Sequence, residues 1–239
     1  MCIRDRKAAL EAGDYTKAQK MAQRCVRYSP EMVEESIELL GLLGIPAFRA
    51  KAEGEAQAAV MAANGQLDAV ATQDWDALLY GAPIVIRNFT TDGSKRMGRV
   101  VRAQKINLEQ ILDDNQLTRD QLIDLGIMIG TDFHPGIKGI GPKTGLKLIK
   151  QYHTIEAICA EKGKELPEHL DEIREIFRNH PVNEIPQEEL VQGSVDVEGL
   201  KKFLIEDRQF SQNRFDNAMK LLEEAGLVRS GGQTSLFSF

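Results

Sequence analysis

The stretch AEGEAQAAVMAANGQLDAVATQDWDALLYG, residues 52–81, sets two acidic pairs on either side of a helix and a short apolar run. Glu53-x-Glu55 stands in front and Asp74-x-Asp76 behind. The spacing of Ala56, Ala59, Val60 and Ala63 predicts one face of a helix. Asn64-Gly65 predicts its end, because both residues tolerate the left-handed closing conformation. Leu67 to Thr72 is short, mostly apolar and β-branched at Val70 and Thr72, which predicts a strand buried on both faces of a parallel sheet. Asp74 and Asp76 then fall just past its carboxyl end, the edge where α/β sheets bind ligands. Side chains two apart in extended chain point the same way, so the two aspartates are expected to project together. Glu53 and Glu55 cannot share a helical face, since two positions turn a helix by about 200°. Glu53 is therefore expected at the helix start and Glu55 in its first turn.

Four carboxylates brought close repel strongly unless cations lie between them. All-oxygen donors predict a hard divalent cation, Mg²⁺ or Mn²⁺. Asp132, which follows the apolar run ending in Ile129-Gly130-Thr131, supplies a fifth acid expected beside the same sheet. Each pair alone has an ordinary structural reading, because acids suit a helix first turn and Asp after a strand is common loop chemistry. Only the convergence of all five distinguishes a metal site from that reading.

At 239 residues and 42% hydrophobic, the chain can bury a real core, expected as one α/β domain plus a helical subdomain. A net charge of −6 argues against a globally basic nucleic-acid binder, so any such contact must be local. Residues 4–27 hold seven basic residues against three acids, and residues 161–198 hold eleven acids against four bases. The three cysteines, Cys2, Cys25 and Cys159, show no C-x-x-C spacing and read as thiols of a reducing compartment. The histidines form no ligand pair. No apolar run approaches about 18 residues and no signal-peptide h-region opens the chain, so a soluble cytoplasmic protein is expected.

Residues 1–28 read as two basic helical pieces broken at Gly13-Asp14, an odd opening for a sheet that begins only near residue 45; a truncated or misjoined start is expected. Ser29-Pro30-Glu31 is a helix start, with Ser as cap and Pro at the first position. That helix is expected to reach about Leu43, with Val33, Ile37, Leu40 and Leu43 as its core stripe and Gly44 after it. Ile45-Pro46-Ala47-Phe48 predicts a short strand, Pro83 to Arg87 another, Thr91 to Ser94 a turn, and Arg99 to Lys105 a further strand. Asn107 and Thr118 are expected to cap two helices, the second through a Thr-x-x-Gln box.

Gly136-Ile-Lys-Gly139-Ile-Gly141-Pro142-Lys143-Thr144 opens a helix over 142–151. Its three glycines expose backbone N–H groups at a helix N-terminus, a ready anion site. Residues 132–152 carry Lys138, Lys143, Lys147 and Lys150 against Asp132 alone. Such a turn would bind phosphodiester backbone without reading sequence. A nucleotide P-loop is a distant third reading, because Lys does not directly follow the second Gly and no strand precedes the run. A plain structural turn is the remaining alternative. Helices are expected over 154–161, 168–178, 197–206 and 212–224. The tail holds three apolar residues beyond a Ser-Gly-Gly spacer, which favours a partner over a fold-back dock.

The runs AEGEAQAA, TQDWDALLYG and LGIMIGTDFHPGIKGIGPKTGLKLIKQY, in this order and spacing, closely resemble the flap endonuclease (XPG-type) family of structure-specific 5′ nucleases. The resemblance covers nearly the whole chain from about residue 7. It implies an α/β, PIN-like nuclease core with a truncated parallel sheet, a helix-two-turn-helix and a C-terminal helical subdomain. The implied segments are 1–28 as the remnant of a helical arch, 29–131 as the nuclease core, 132–228 as the helix-two-turn-helix with the helical subdomain, and 229–239 as a flexible clamp-binding tail. It further implies Glu53, Glu55, Asp74, Asp76 and Asp132 as ligands of two Mg²⁺ ions. Gly130, Gly136, Lys138, Gly139, Gly141, Lys143 and Lys147 are implied as DNA contacts, and the carbonyls of Gly136, Ile137 and Ile140 as holders of a monovalent cation such as K⁺. Gln233, Leu236, Phe237 and Phe239 resemble the family's motif for the sliding clamp (PCNA), with one terminal aromatic fewer and no Lys-rich extension, an archaeal-like ending.

By that resemblance the family's N-terminal segment, with its first strand and two further aspartates, is expected to be missing here. The implied function is cleavage of 5′ flaps in DNA replication and repair by a monomer. The chain as written is expected to be an incomplete, inactive fragment, or a DNA- and clamp-binding module without catalysis.

Overall fold

In the computed structural model, which describes residues 13–15, 29–96 and 99–228 and the backbone alone of Lys95 and Arg96, the chain divides into two units. One runs from Phe48 to Gln187 and holds the acidic pairs and the glycine-rich turn. The other joins the described residues up to Ala47 with those from Glu188 onward.

The first unit is built on a three-stranded mixed sheet. β1 (Val70–Ala71) pairs in parallel with β2 (Ile84–Arg87), Val70 opposite Val85. Two further strands, β3 (Lys95–Arg96) and β4 (Arg99–Val100), form a separate antiparallel hairpin. The third strand of the main sheet, β5 (Gln104–Asn107), pairs antiparallel with β2, Val85 opposite Ile106. The parallel expectation therefore holds for one strand pair only. β1 is also shorter than Leu67–Thr72, and it lies at an edge of the sheet with Ala71 exposed rather than buried on both faces. The expected strand Arg99–Lys105 is split, because its first part closes the hairpin and its last part turns to β2. The split is held by Asp92, whose carboxylate accepts the Ala103 N–H at 2.7 Å.

α1 (Pro30–Leu42) belongs to the other unit, and two helices of this unit pack beside the sheet. α2 (Gly54–Ala63) ends at Asn64-Gly65 as expected, and α3 (Asp76–Leu79) is a single turn. α2 buries Ala56, Gln57, Ala59, Met61 and Ala62, whereas Ala63, expected on the core face, is exposed. The alanines let α2, with Ala77 of α3, lie close against the sheet; Ala56, Ala59, Ala77 and Val85 are fully buried.

α4 (Leu108–Asn115) is capped by Asn107, and α5 (Arg119–Ile129) opens on the expected capping box of Thr118 and Gln121. α5 then packs closely on α6 (Pro142–Tyr152), where a Cβ on Gly145 would come within 2.8 Å of Leu125. α7 (Ile155–Lys162) and α8 (Leu170–Arg178) complete the unit. Ile123, Ile127, Met128, Ile149, Ile155 and Phe177 continue the same apolar core.

Three helical pieces are locked by one ion network. Arg174 of α8 donates to Asp124 of α5 at 2.7 and 2.8 Å and to Glu156 of α7 at 2.6 and 3.0 Å. Asp124 also accepts the Ile155 N–H at the start of α7, at 3.3 Å. The Arg174 hydrogen bonds hold the Glu156 carboxyl down at about 2, well below its ordinary value.

In the other unit, Ser29 caps α1 by accepting the Met32 N–H at 3.3 Å, with Pro30 in the first turn. Val33, Ile37, Leu40 and Leu43 are only half-buried. Ile45–Phe48, expected as a strand, runs as irregular chain: Pro46 has no N–H to donate, and Ile45 and Phe48 are exposed. α9 (Val197–Lys201) passes directly into a π turn at Lys202–Glu206, and α10 (Gln212–Glu224) follows. Leu200, Phe203 and Phe215 are the buried side chains there.

The expected helical pieces within residues 1–28 lie outside the described residues except at 13–15. Cys159 is buried. Among the described residues no helix is long and apolar enough to cross a membrane.

Candidate metal centre and nucleic-acid interface

β1 stops at Ala71, and the chain beyond it is folded tightly by its own polar side chains. Thr72 Oγ1 accepts the Asp74 N–H at 3.0 Å, and Asp74 Oδ1 accepts the Asp76 N–H at 3.0 Å. The two aspartates are thereby fixed past the sheet's carboxyl end, but not in the extended chain expected from the sequence: Trp75 between them has helical backbone and Asp76 is the first residue of α3. The Thr72 hydroxyl also donates to Glu55 Oε1 at 3.4 Å, which joins the first turn of α2 to the end of β1.

The five predicted acids are electrostatic neighbours. Asp76 is half-buried, and its carboxyl is pushed up to about 6 by desolvation first and then by the negative charges of Asp74, Asp132 and Glu55. Tyr80 is buried, and its phenol is pushed well above its ordinary value by burial and by Glu53, Asp76, Asp74 and Glu55. Glu53, Asp74 and Asp132 are exposed, and Glu55 is half-buried. In donor chemistry the set suits a hard divalent cation. It is not drawn into a ready cage: among the described residues no three His, Cys, Asp or Glu side chains stand in a geometry that would hold an ion.

Several residues around the acids carry no motif that sequence reasoning could find. Thr72 is one, recognisable only by its place at the strand end. Tyr80 packs on Phe177 at 5.0 Å and edge-on to His180 at 5.1 Å between ring centroids, and both partners come from about a hundred residues further along. Trp75, between the two aspartates, is 49% exposed, and the Arg87 guanidinium lies 4.1 Å from its ring centroid. Arg87 also donates to the Gln73 carbonyl at 3.1 Å.

The glycine-rich turn follows Asp132. Gly136 has φ +87°, and a Cβ there would meet the Ile129 carbonyl oxygen at 2.5 Å, so a side chain is excluded both by conformation and by contact. Ile137 and Ile140 are buried anchors beneath the turn, with the Ile137 N–H on the Met128 carbonyl at 2.8 Å. Lys138, Lys143, Lys147 and Lys150 are exposed around it, and Gly130 is half-buried. Gly141 precedes α6 without a side-chain cap, which leaves the N–H groups of that helix start free of one. Of the carbonyls predicted for a monovalent cation, that of Ile137 accepts the Ile140 N–H at 2.9 Å. The next one along, Lys138, accepts the Lys164 ammonium at 3.1 Å. Lys164 is a further basic residue beside the turn, in a cleft of about 650 Å³ lined by His134–Lys138 and Gly163–Glu168.

Residues 44–132 match the XPG I-region, and residues 136–171 match the SAM-like helix-hairpin-helix tandem. Flap endonuclease 1 of Pyrococcus furiosus is 41% identical over 237 residues, covering 97% of this chain and 68% of that protein. The chain belongs to the flap endonuclease family. Flap endonuclease 1 of Methanosarcina acetivorans is 42% identical over 222 residues, covering 91% of this chain and 65% of that protein. Among solved structures, flap endonuclease-1 from Methanococcus jannaschii matches with TM-score 0.68 and 37% identity, over 89% of this chain and 63% of that one. The chain thus spans about two thirds of the length of its flap endonuclease relatives. The catalytic core of Rad2, solved with a DNA substrate, matches with TM-score 0.71 at 21% identity over 85% of this chain and 73% of that one, a likeness of fold. The α/β nuclease fold and the family expected from the sequence are both borne out. The tail residues Gln233, Leu236, Phe237 and Phe239 lie outside the described residues.

Proposed function

We propose that Glu53, Glu55, Asp74, Asp76 and Asp132 hold two Mg²⁺ ions, and that this chain serves the reaction of a structure-specific 5′ flap endonuclease. The observation that carries the proposal is the charge convergence at Asp76, where Asp74, Asp132 and Glu55 all oppose ionisation of a single carboxyl. Bound divalent cations would supply ionised water and neutralise the phosphate in phosphodiester hydrolysis, with Mn²⁺ able to substitute. The chain's own part is to hold and orient. Its carboxylates accept the cations in ionised form, and Thr72 keeps Glu55 and Asp74 in register. The free N–H groups at the start of α6 and the surrounding lysines would grip the phosphodiester backbone, with K⁺ at the carbonyls of Gly136, Ile137 and Ile140 stiffening the turn. A sliding clamp is proposed as partner of the tail, and a monomer as the working form, on the family resemblance alone.

The second reading is a DNA- and clamp-binding module without catalysis. It is favoured by the lack, among the described residues, of an acidic cage ready for an ion. One assay separates the two. On the nuclease reading, the chain incubated with a 5′-flapped duplex and Mg²⁺ cleaves at the flap base and Asp74→Ala abolishes cleavage; cleavage by Asp74→Ala at the unsubstituted rate ends that reading. Salt-sensitive binding of the same DNA with no cleavage supports the module.

A further inference from the structure

Helix α2, which bears Glu55 in its first turn, is started from outside itself. Its N-cap residue is Glu53, with extended backbone (φ −76°, ψ 129°), and the Glu53 carboxylate makes no capping bond to the helix. The side chains that cap from that position are the short ones of Ser, Thr, Asp and Asn, so the longer Glu53 is left without a capping role. The Glu53 backbone N–H donates instead to Nε2 of His180, at 3.3 Å. His180 lies in the segment that follows α8.

That segment runs along α2 from its start to just beyond its end. The Asn183 N–H donates to Gln57 Oε1 at 2.7 Å, and Gln57 Nε2 donates back to the Asn183 carbonyl at 3.0 Å. Gln57 is 6% exposed, so its amide serves the Asn183 backbone as a neighbouring strand would. Asn183 Nδ2 donates to the Arg49 carbonyl at 2.8 Å, and Gln66 Nε2 to the Ile185 carbonyl at 2.8 Å. The His180 ring is held in place by Tyr80, edge-on at 5.1 Å. Because Nε2 accepts a hydrogen bond it presents its lone pair. Nδ1 is buried and, among the described residues, has no partner, a cost that the ring packing and the Glu53 bond must offset.

We propose that His180 is a positioning residue for the acidic site. Its Nε2 accepts the Glu53 N–H and so fixes the backbone at Glu53 from outside the helix, which holds the Glu53 carboxylate, engaged in no capping bond, where a divalent cation can reach it. The strap 180–185 thereby ties the end of the helical part of this unit to the geometry of its acids. The inference rests on the metal-binding reading above.

Two substitutions separate the acceptor from the ring. His180→Phe keeps an aromatic ring against Tyr80 and removes the acceptor; His180→Gln removes the ring and keeps an acceptor at the reach of Nε2. Mn²⁺ affinity, measured by titration calorimetry on the full chain, is expected to fall about tenfold in His180→Phe, the order seen when outer-shell partners of metal ligands are lost, and to stay within about threefold in His180→Gln. Melting curves without metal report on folding independently. His180→Phe binding Mn²⁺ as tightly as the unsubstituted chain overturns the inference, as does His180→Gln binding as weakly as His180→Phe. A loss of metal-free stability that tracks ring removal, with affinity following it, assigns His180 to packing and overturns it too. Absence of Mn²⁺ binding by the unsubstituted chain is a different failure, since it removes the metal reading itself and the inference with it.

Discussion

Asp76 heads α3 half-buried, with Asp74, Asp132 and Glu55 all opposing its ionisation, so in the metal-free protein its charge is a source of strain rather than of stability. Asp76→Asn removes that charge without changing shape. The metal-free variant is expected to melt higher at neutral pH, by on the order of 1 kcal/mol, a value kept small because water screens a half-exposed carboxyl. Mg²⁺ is expected to add much less stability to this variant than to the unsubstituted chain; calorimetric melts with and without chelator measure both. The pH dependence has a definite sign. The folded pKa, raised to about 6 from 3.8, means that the folded protein binds this proton more tightly than the unfolded chain. From this group, metal-free stability is gained as pH falls from about 6 toward 3.8 and is lost as pH rises through that window. Mn²⁺ affinity should move the opposite way, weakening below about 6, because the cation needs the carboxylate that the proton neutralises. At this scale the gathering of Asp74, Asp76, Asp132 and Glu55 was legible, because spaced pairs of carboxylates have few reasons to come together. Thr72, Tyr80 and His180 were not. Their roles come from neighbours brought together by folding, and a lone His or Tyr in the letters has no partner attached to it.

Among elements, most of the longer helices were legible to within about two residues, since Ser29, Asn107 and Thr118 announce their starts by hydrogen bonds made within three positions, whereas the single turn α3 was not. Strands were not, because a strand is defined by its partner. Arg99 to Lys105 has suitable letters throughout, yet its first part pairs with β3 and the strand that reaches β2 begins only at Gln104. The Arg174 network could not be foreseen either, although it joins three helices. Arg174→Met is expected to destabilise the protein by about 3–5 kcal/mol, because Asp124 would be left buried and unpaired. Adding Asp124→Leu should recover most of that loss, and urea unfolding of the single and double variants tests it. Glu156, held down at about 2 from 4.5, adds stability that is present above 4.5 and lost as pH falls toward 2. Its half-exposed side chain makes that contribution modest.

For the whole molecule, a net charge of −6 leaves DNA binding to a local patch, and the four exposed lysines around the glycine-rich turn are the patch proposed for it. Lys143→Ala and Lys147→Ala should each weaken binding equally across DNA sequences and reduce the slope of log affinity against log salt by about 1. A sequence-dependent loss would argue for base contacts instead; fluorescence anisotropy at several salt concentrations decides between them. The chain also holds one tryptophan in 239 residues, and it stands between Asp74 and Asp76 under the Arg87 guanidinium. Its ultraviolet emission is therefore an internal reporter, free of any label, on the very few ångströms of chain where chemistry is expected. Titrated Mn²⁺, a paramagnetic quencher, should dim it while leaving tyrosine emission from elsewhere in the chain unaltered, so that occupancy of the acids can be followed in native protein by light alone.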